Sequence, residues 1–184
     1  MVALETPICD FGWNAPNFNL LGTDGKNYQF EDIKGSNGTL VMFICNHCPY
    51  VKAVINDIAN DIKELEALGI KAAAIMSNDI KNYPDDSFEN MIGFSKIHNF
   101  SFPYLIDETQ NIAKEYGAVC TPDFFGYNNN LELQYRGRFR ELKNLKPVAK
   151  GDSDLKVAMK LIGKTGKGPA NQIPSMGCNI KWFK

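Results

Sequence analysis

The stretch Gly38-Thr39-Leu40-Val41-Met42-Phe43-Ile44-Cys45-Asn46-His47-Cys48-Pro49 constrains this chain more than any other. Thr39 to Cys45 is an apolar run suited to a pleated strand buried on both faces, as a central parallel strand is. It stops at a pair of cysteines with two residues between them. From there Cys48, Val51, Ile55, Ile58, Ile62, Leu65 and Leu68 recur at steps of three and four, one stripe of an α-helix that Gly69 ends. Two thiols and a histidine therefore fall where a buried strand gives way to a helix.

The remaining pattern extends this unit into a layered fold. Phe18–Leu21 and Tyr28–Phe30 flank Gly22–Asn27, whose Asp24-Gly25 pair favours a positive-φ turn, so a hairpin is expected there. Ile70–Met76 reads as a second buried strand, Ser87–His98 as a helix, Tyr104–Ile106 as a short strand and Thr109–Tyr116 as a helix stopped by Gly117. Asp123–Asn128 and Leu131–Tyr135 read as a hairpin about Asn129-Asn130, and Asp154–Ile162 as a last helix. Strands alternating with helices and ending in a hairpin argue for an α/β fold with parallel central strands and an antiparallel last pair. The expected organisation is one domain over 1–184: an N-terminal hairpin extension (1–37), a core (38–141), and a C-terminal helix plus tail (142–184). The apolar end of the tail, with Trp182 and Phe183, is expected to dock on the domain.

The chemistry follows from the helix start. Its first amides lack internal partners and carry the positive end of the helix dipole, so a thiolate there is favoured over a thiol. With Asn46 as the cap, Cys45 lies just ahead of the first turn and Cys48 within it. Cys45 is then the exposed nucleophile, its pKa drawn from about 8.5 into the ~3.5–7.5 range, and His47 lowers it further when protonated. Cys48, less exposed, is the resolving thiol that attacks a mixed disulfide and releases reduced substrate. The same three residues, Cys45, His47 and Cys48, also suit a non-enzymatic metal-binding protein, with Cys120 or Cys178 adding ligands. The preferred reading has no metal and no cofactor.

Cys120-Thr121-Pro122 stands about seventy residues beyond the dithiol and just before the last hairpin. Proline is tolerated as a strand's first residue because it needs no amide donor there. Taken with Cys45-Asn46-His47-Cys48 and the long helix, this order resembles the thioredoxin fold. The resemblance implies a cis Pro122 packed beside the dithiol and a Thr121 whose backbone meets an extended substrate. Ala15-Pro16-Asn17-Phe18-Asn19-Leu20 resembles the entry of the peroxiredoxin branch, the alkyl hydroperoxide reductase/thiol-specific antioxidant type. Cys45–Val51 together with Pro174-Ser175-Met176-Gly177-Cys178-Asn179-Ile180-Lys181-Trp182 is similar to a peroxiredoxin-like group of thioredoxin-fold proteins. The resemblance implies a thiol-disulfide oxidoreductase acting on a disulfide-containing protein or a small thiol compound and served by a cellular thiol reductant. The alternative it implies is a thiol peroxidase with Cys48 as the peroxidatic residue, followed by Pro49 as in that family. Two departures weigh against the peroxidase: Cys45 stands where that family has a threonine, and Arg136, Arg138 and Arg140 do not clearly match its arginine. Cys120 and Cys178 are possible additional thiols, with packing the expected role of each.

Composition sets the surroundings. A net charge of −1 over 184 residues predicts no whole-molecule attraction to nucleic acid or to an anionic membrane. Between Arg136 and Lys167, ten Lys or Arg face three acids, a segment of about +7 expected to be a solvated surface. Met1–Asn19 carries Glu5 and Asp10 and has no basic head, unlike a secretory signal, and no stretch approaches the ~20 apolar residues of a membrane span. Five cysteines, an odd count in a chain of this length, suit a reducing compartment, so a cytoplasmic setting is expected.

Overall fold

A computed structural model describes residues 2–184. In chain order the strands are β1 (Ala3–Glu5), β2 (Asn19–Gly22), β3 (Asn27–Gln29), β4 (Gly38–Phe43), β5 (Ile70–Met76), β6 (Tyr104–Ile106), β7 (Cys120–Thr121), β8 (Asp123–Tyr127), β9 (Leu133–Tyr135), β10 (Leu142–Lys143), β11 (Lys146–Pro147) and β12 (Met176–Asn179). The helices are α1 (Pro49–Glu66), α2 (Phe88–Ile97), α3 (Asn111–Tyr116) and α4 (Asp154–Thr165). Seven strands form the central sheet in the order β3-β2-β6-β5-β4-β8-β9. β4 runs parallel to β5 and β5 parallel to β6, while β8 is antiparallel to β4 and β2 antiparallel to β6. No helix among the described residues is long and apolar enough to cross a membrane.

The alternation of side chains along a strand, with a core on each face, explains why β4 is buried throughout. Leu40, Met42 and Ile44 pack with the helical face of α1, α2 and α4, whereas Val41 and Phe43 pack on the other side with Phe18, Phe30 and Tyr116. The α1 stripe supplies Val51, Val54, Ile55, Ile58, Ile62 and Leu65, all buried. Each is worth roughly 1.5–3 kcal/mol of transfer free energy, which holds the start of α1 rigidly against the end of β4.

Several boundaries differ from the sequence pattern for local reasons. Phe30 leaves the hairpin for a 3-10 turn because Asp32 accepts a 2.7 Å bond from the Gln29 amide. α3 begins at Asn111 rather than Thr109, since Gln110 adopts a left-handed conformation and its side chain turns to the carbonyls of Ser77 and Lys181. The last hairpin is shorter than its apolar pattern, with Leu131 at positive φ and an irregularity at Gly126/Tyr127. The tail docks, but not through its aromatics: Trp182 and Phe183 remain partly exposed, and β12 inserts between β1 and β7 as the middle of a second, three-stranded sheet. That sheet lies directly over the dithiol.

Candidate active site

Pro49 disfavours helical geometry at the residue before it. Cys48 accordingly has extended dihedrals (φ −66, ψ 122) and is itself the cap, with Pro49 as the first helical residue. Asn46 is therefore not the cap. Its amide donates to Asp86 Oδ1 at 2.8 Å, its side-chain NH2 donates to the Asp85 carbonyl at 3.0 Å, and its Oδ1 accepts from the Tyr104 hydroxyl at 3.0 Å. Asp86 is fully buried and also binds the His47 amide at 3.3 Å, His47 Nδ1 at 2.6 Å and the Asn78 side-chain NH2 at 2.8 Å. One carboxylate thus fixes the whole loop between the cysteines.

The electrostatics of this loop are paired. The bond to Asp86 raises the pKa of His47 against the opposing effect of burial. Burial penalises the Asp86 charge, but the bonds from His47, Asn78 and the Asn46 amide outweigh it and hold the carboxyl below its usual range. The His47 ring stacks on Tyr83 at 5.6 Å and 11°.

Three sulfurs meet at the first turn of α1. Cys48 Sγ is 3.0 Å from Cys178 Sγ, while Cys45 Sγ lies 3.5 Å from the Thr121 hydroxyl and 3.9 Å from His47 Nδ1. The neighbouring Cys45 thiol is the main cause that draws the Cys48 pKa down to about 5 against the effect of burial, with Cys178, Thr121 and Val51 acting in the same direction. The Thr121 carbonyl, 3.1 Å from the same sulfur, accepts only from the protonated form and works against the anion. Cys45 pays the corresponding penalty: its proton is shared toward Cys48, and burial and Asp86 add to the rise, so its pKa lies well above that of a free thiol.

This differs from the expected arrangement of the pair. Cys45 is buried rather than exposed and its pKa is raised rather than lowered, and the sulfur at the helix start is that of Cys48, because Pro49 moves the cap two residues later than Asn46 would set it. Both are sealed from water, Cys45 at 1% and Cys48 at 0% exposure. Thr121–Pro122 is cis and borders the thiols. A cleft of about 270 Å³ opens beside Pro122, lined by Tyr50, Val54, Phe139, Pro174 and Met176 among others.

The remaining candidates divide. Cys178 joins the thiol cluster, and burial together with its bond to Cys48 pushes its pKa up to about 12. Cys120 does not join it: its thiol donates to the Pro122 carbonyl at 3.7 Å, and burial keeps it protonated. Arg136 is engaged by Asp123 and the Gly117 carbonyl, Arg138 by Asp154, and Arg140 by the carbonyls of Ala149 and Gly151. Metal-ligand spacing is met by Cys45, His47 and Asp86, whose donor atoms lie within 4.8 Å of one another, rather than by Cys45, His47 and Cys48. An ion there would have to displace the 2.6 Å His47–Asp86 bond, since Nδ1 is the ring atom facing both partners. The sequence reading missed Asp86, Tyr83 and Asn78; Asp86 follows Pro84-Asp85 in an ordinary-looking polar loop and bonds to residues some forty positions away.

Comparisons with known proteins fit this geometry. Residues 11–140 match the AhpC/TSA family. The chain is 38% identical to an uncharacterized conserved protein from Geobacillus kaustophilus, covering 100% of this chain and 97% of that one with a TM-score of 0.94. It is 35% identical to a hypothetical protein from Sinorhizobium meliloti 1021, covering 97% of each with a TM-score of 0.89. It is 26% identical to the thiol-disulfide oxidoreductase ResA of Bacillus subtilis over 64% of this chain and 61% of that protein, so it spans about three fifths of the curated relatives it matches. The arrangement of sheet and helices is the thioredoxin-like fold.

Proposed function

Because the chain belongs to the AhpC/TSA family, we propose that it is a thiol-disulfide oxidoreductase whose redox pair is Cys45 and Cys48, with Cys48 the attacking sulfur. The observation that carries this reading is the thiol cluster at the start of α1, where Cys48 caps the helix with its sulfur 3.0 Å from Cys178 Sγ and Cys45 Sγ lies 3.5 Å from the Thr121 hydroxyl beside the cis Pro122; the pKa of Cys48 is drawn down there and that of Cys45 raised. Likeness to ResA supports the same class of reaction. The substrate is a disulfide-bearing protein or a small disulfide, and a cellular thiol reductant restores the dithiol.

The Cys48 thiolate attacks one sulfur of the substrate disulfide; that S–S bond breaks and the departing sulfur leaves as a thiolate. Cys45 then gives up its proton to a departing thiolate and attacks Cys48 Sγ, which expels the second substrate sulfur. The substrate gains two electrons and two protons, one of them from solvent, and the chain is left with a Cys45–Cys48 disulfide. The Thr121 hydroxyl and His47, 3.5 and 3.9 Å from Cys45 Sγ, stabilise that sulfur as it deprotonates. A trapping experiment tests the order of attack. A Cys45→Ser/Cys178→Ser double variant, which leaves no thiol beside Cys48, is expected to accumulate a mixed disulfide on Cys48, detected by peptide mapping, and Cys48→Ser to form none; a mixed disulfide on Cys45 in the second variant would reverse the roles.

A second reading, thiol peroxidase, is favoured by one observation: the anionic sulfur is the one followed by Pro49. It requires peroxide consumption that survives Cys45→Ser and is lost in Cys48→Ser.

A further inference from the structure

β12 occupies a particular place. It lies antiparallel on β7, with Cys178 opposite Thr121 and Asn179 opposite Cys120, and antiparallel to β1 on its other side. Were β12 absent, the edge of β7 would present unpaired backbone groups beside Cys48, the kind of edge to which an extended peptide adds as a strand. The chain's own segment therefore fills the position of a strand-like substrate and brings a sulfur to Cys48, as a disulfide substrate must.

The fit is specific to this sequence. A Cβ at Gly177 would fall 2.1 Å from the Thr121 carbonyl oxygen, so only glycine lets β12 approach Thr121-Pro122 so closely. Ser175 flanks the strand and donates to the Pro122 carbonyl at 2.7 Å, while its own amide donates to Thr6 Oγ1 at 3.0 Å. On the far side the Lys181 amide donates to Asn78 Oδ1 at 2.8 Å, and the Asp79 amide donates to the Lys181 carbonyl at 2.8 Å. Cys178 is thereby held with its sulfur 3.0 Å from Cys48 Sγ, about 1 Å beyond a disulfide bond length. Cys120, equally buried on the adjacent strand, faces a carbonyl and no thiol.

We propose that Cys178 is a third redox thiol that exchanges with Cys45 for Cys48, so that the oxidised chain rests with a Cys48–Cys178 disulfide fastening β12 across the edge of β7. The proposal rests on the oxidoreductase reading, which supplies the starting Cys45–Cys48 disulfide. In the exchange Cys178 Sγ attacks Cys48 Sγ, the Cys45–Cys48 bond breaks, and the Cys48–Cys178 bond forms. Cys45 leaves as a thiolate and takes the proton that Cys178 gives up. No net electron is transferred and no further oxidant is needed. The reduced chain can release β12 to admit a substrate strand; the oxidised chain cannot.

The test begins with the full reduced chain and glutathione disulfide as oxidant, followed by acid quenching, alkylation of free thiols and peptide mapping. The wild type is expected to yield the Cys48–Cys178 cross-link as the predominant disulfide, Cys45→Ser to yield it alone, and Cys178→Ser to yield Cys45–Cys48. A wild type that gives only Cys45–Cys48, with Cys45→Ser ending as a glutathione adduct on Cys48, overturns the proposal and leaves the oxidoreductase reading standing. Failure of any disulfide to form in wild type or in Cys178→Ser overturns both. In hydrogen exchange, amides of residues 176–179 are expected to exchange about tenfold more slowly in oxidised wild type than in oxidised Cys178→Ser; equal rates overturn the fastening of β12.

Discussion

Helix α1 carries two buried polar clusters, and they do different things. At its middle, Asp61 accepts from the Ser153 hydroxyl at 2.6 Å, and Lys156 Nζ lies 3.3 Å from Asp61, 2.5 Å from Glu64 and 2.9 Å from Asp152. Ser153 is also the cap of α4, bonded to the Lys156 amide at 3.0 Å, so this cluster clamps α4 onto α1. Every donor there faces an acceptor of complementary charge, and no proton is contested. At the first turn, three groups of the same chemical kind face one another. Cys45 and Cys178 are driven to keep their protons and Cys48 to lose its own. Buried polarity alone therefore does not distinguish the two clusters; what does is like groups packed together with their pKa values driven in opposite directions.

This contrast can be broken or sharpened by substitution. The largest effect is expected from Asp86→Ala, which removes three hydrogen bonds from the loop and one from Asn78 and leaves His47 without its counter-charge. A loss of about 3–5 kcal/mol in urea unfolding is expected, as for one partner removed from a buried pair, together with slower alkylation of Cys48. Lys156→Met strikes the other cluster and should cost about 1–2 kcal/mol, since the ammonium also faces partly exposed Glu64 and Asp152. It should leave the Cys48 alkylation rate unchanged; a slowed rate would mean that the two clusters are coupled through α1.

Smaller and sharper is the pH dependence. Cys48, with its pKa at about 5, should alkylate at a nearly constant rate from neutral pH down to that value and then slow about tenfold per pH unit. Stability follows the signs of the individual shifts. The depressed Cys48 and Asp86 each contribute stability that is fully present above their unfolded pKa and lost as pH falls through their folded values. His47, raised in the folded state, contributes stability that is present below its unfolded pKa and lost as pH rises through its folded value. Urea midpoints of wild type and His47→Gln should therefore differ most between the Asp86 and His47 titrations and converge on the alkaline side. A difference that persists there would assign His47 a packing role on Tyr83 instead.

Much of the architecture was legible because burial on two faces and the 3.6-residue repeat write themselves into Leu40–Ile44 and the α1 stripe. The thiol pair and Thr121-Pro122 were legible for the same local reason. What escaped depends on contacts distant in sequence. Asp86 meets the Cys45–Cys48 loop across forty residues, and the short segment Met176–Asn179 shows no alternation from which its pairing with β7 could be read. The cap was expected at Asn46 although the cause of its shift was visible: Pro49 pushes Cys48 out of the helix and makes it the cap. The basic segment, read as solvated, is partly met by acids of α1, with Arg140 3.7 Å from Asp57 and Lys156 between Asp61 and Glu64.

The clasp of β1 and β12 has a temporal consequence. Cys178 follows Cys48 by 130 residues, so the ribosome delivers the sulfur long before the segment that shields it. Until β12 is made and pairs with β1 and β7, a growing chain lacks the segment that lies across that thiol.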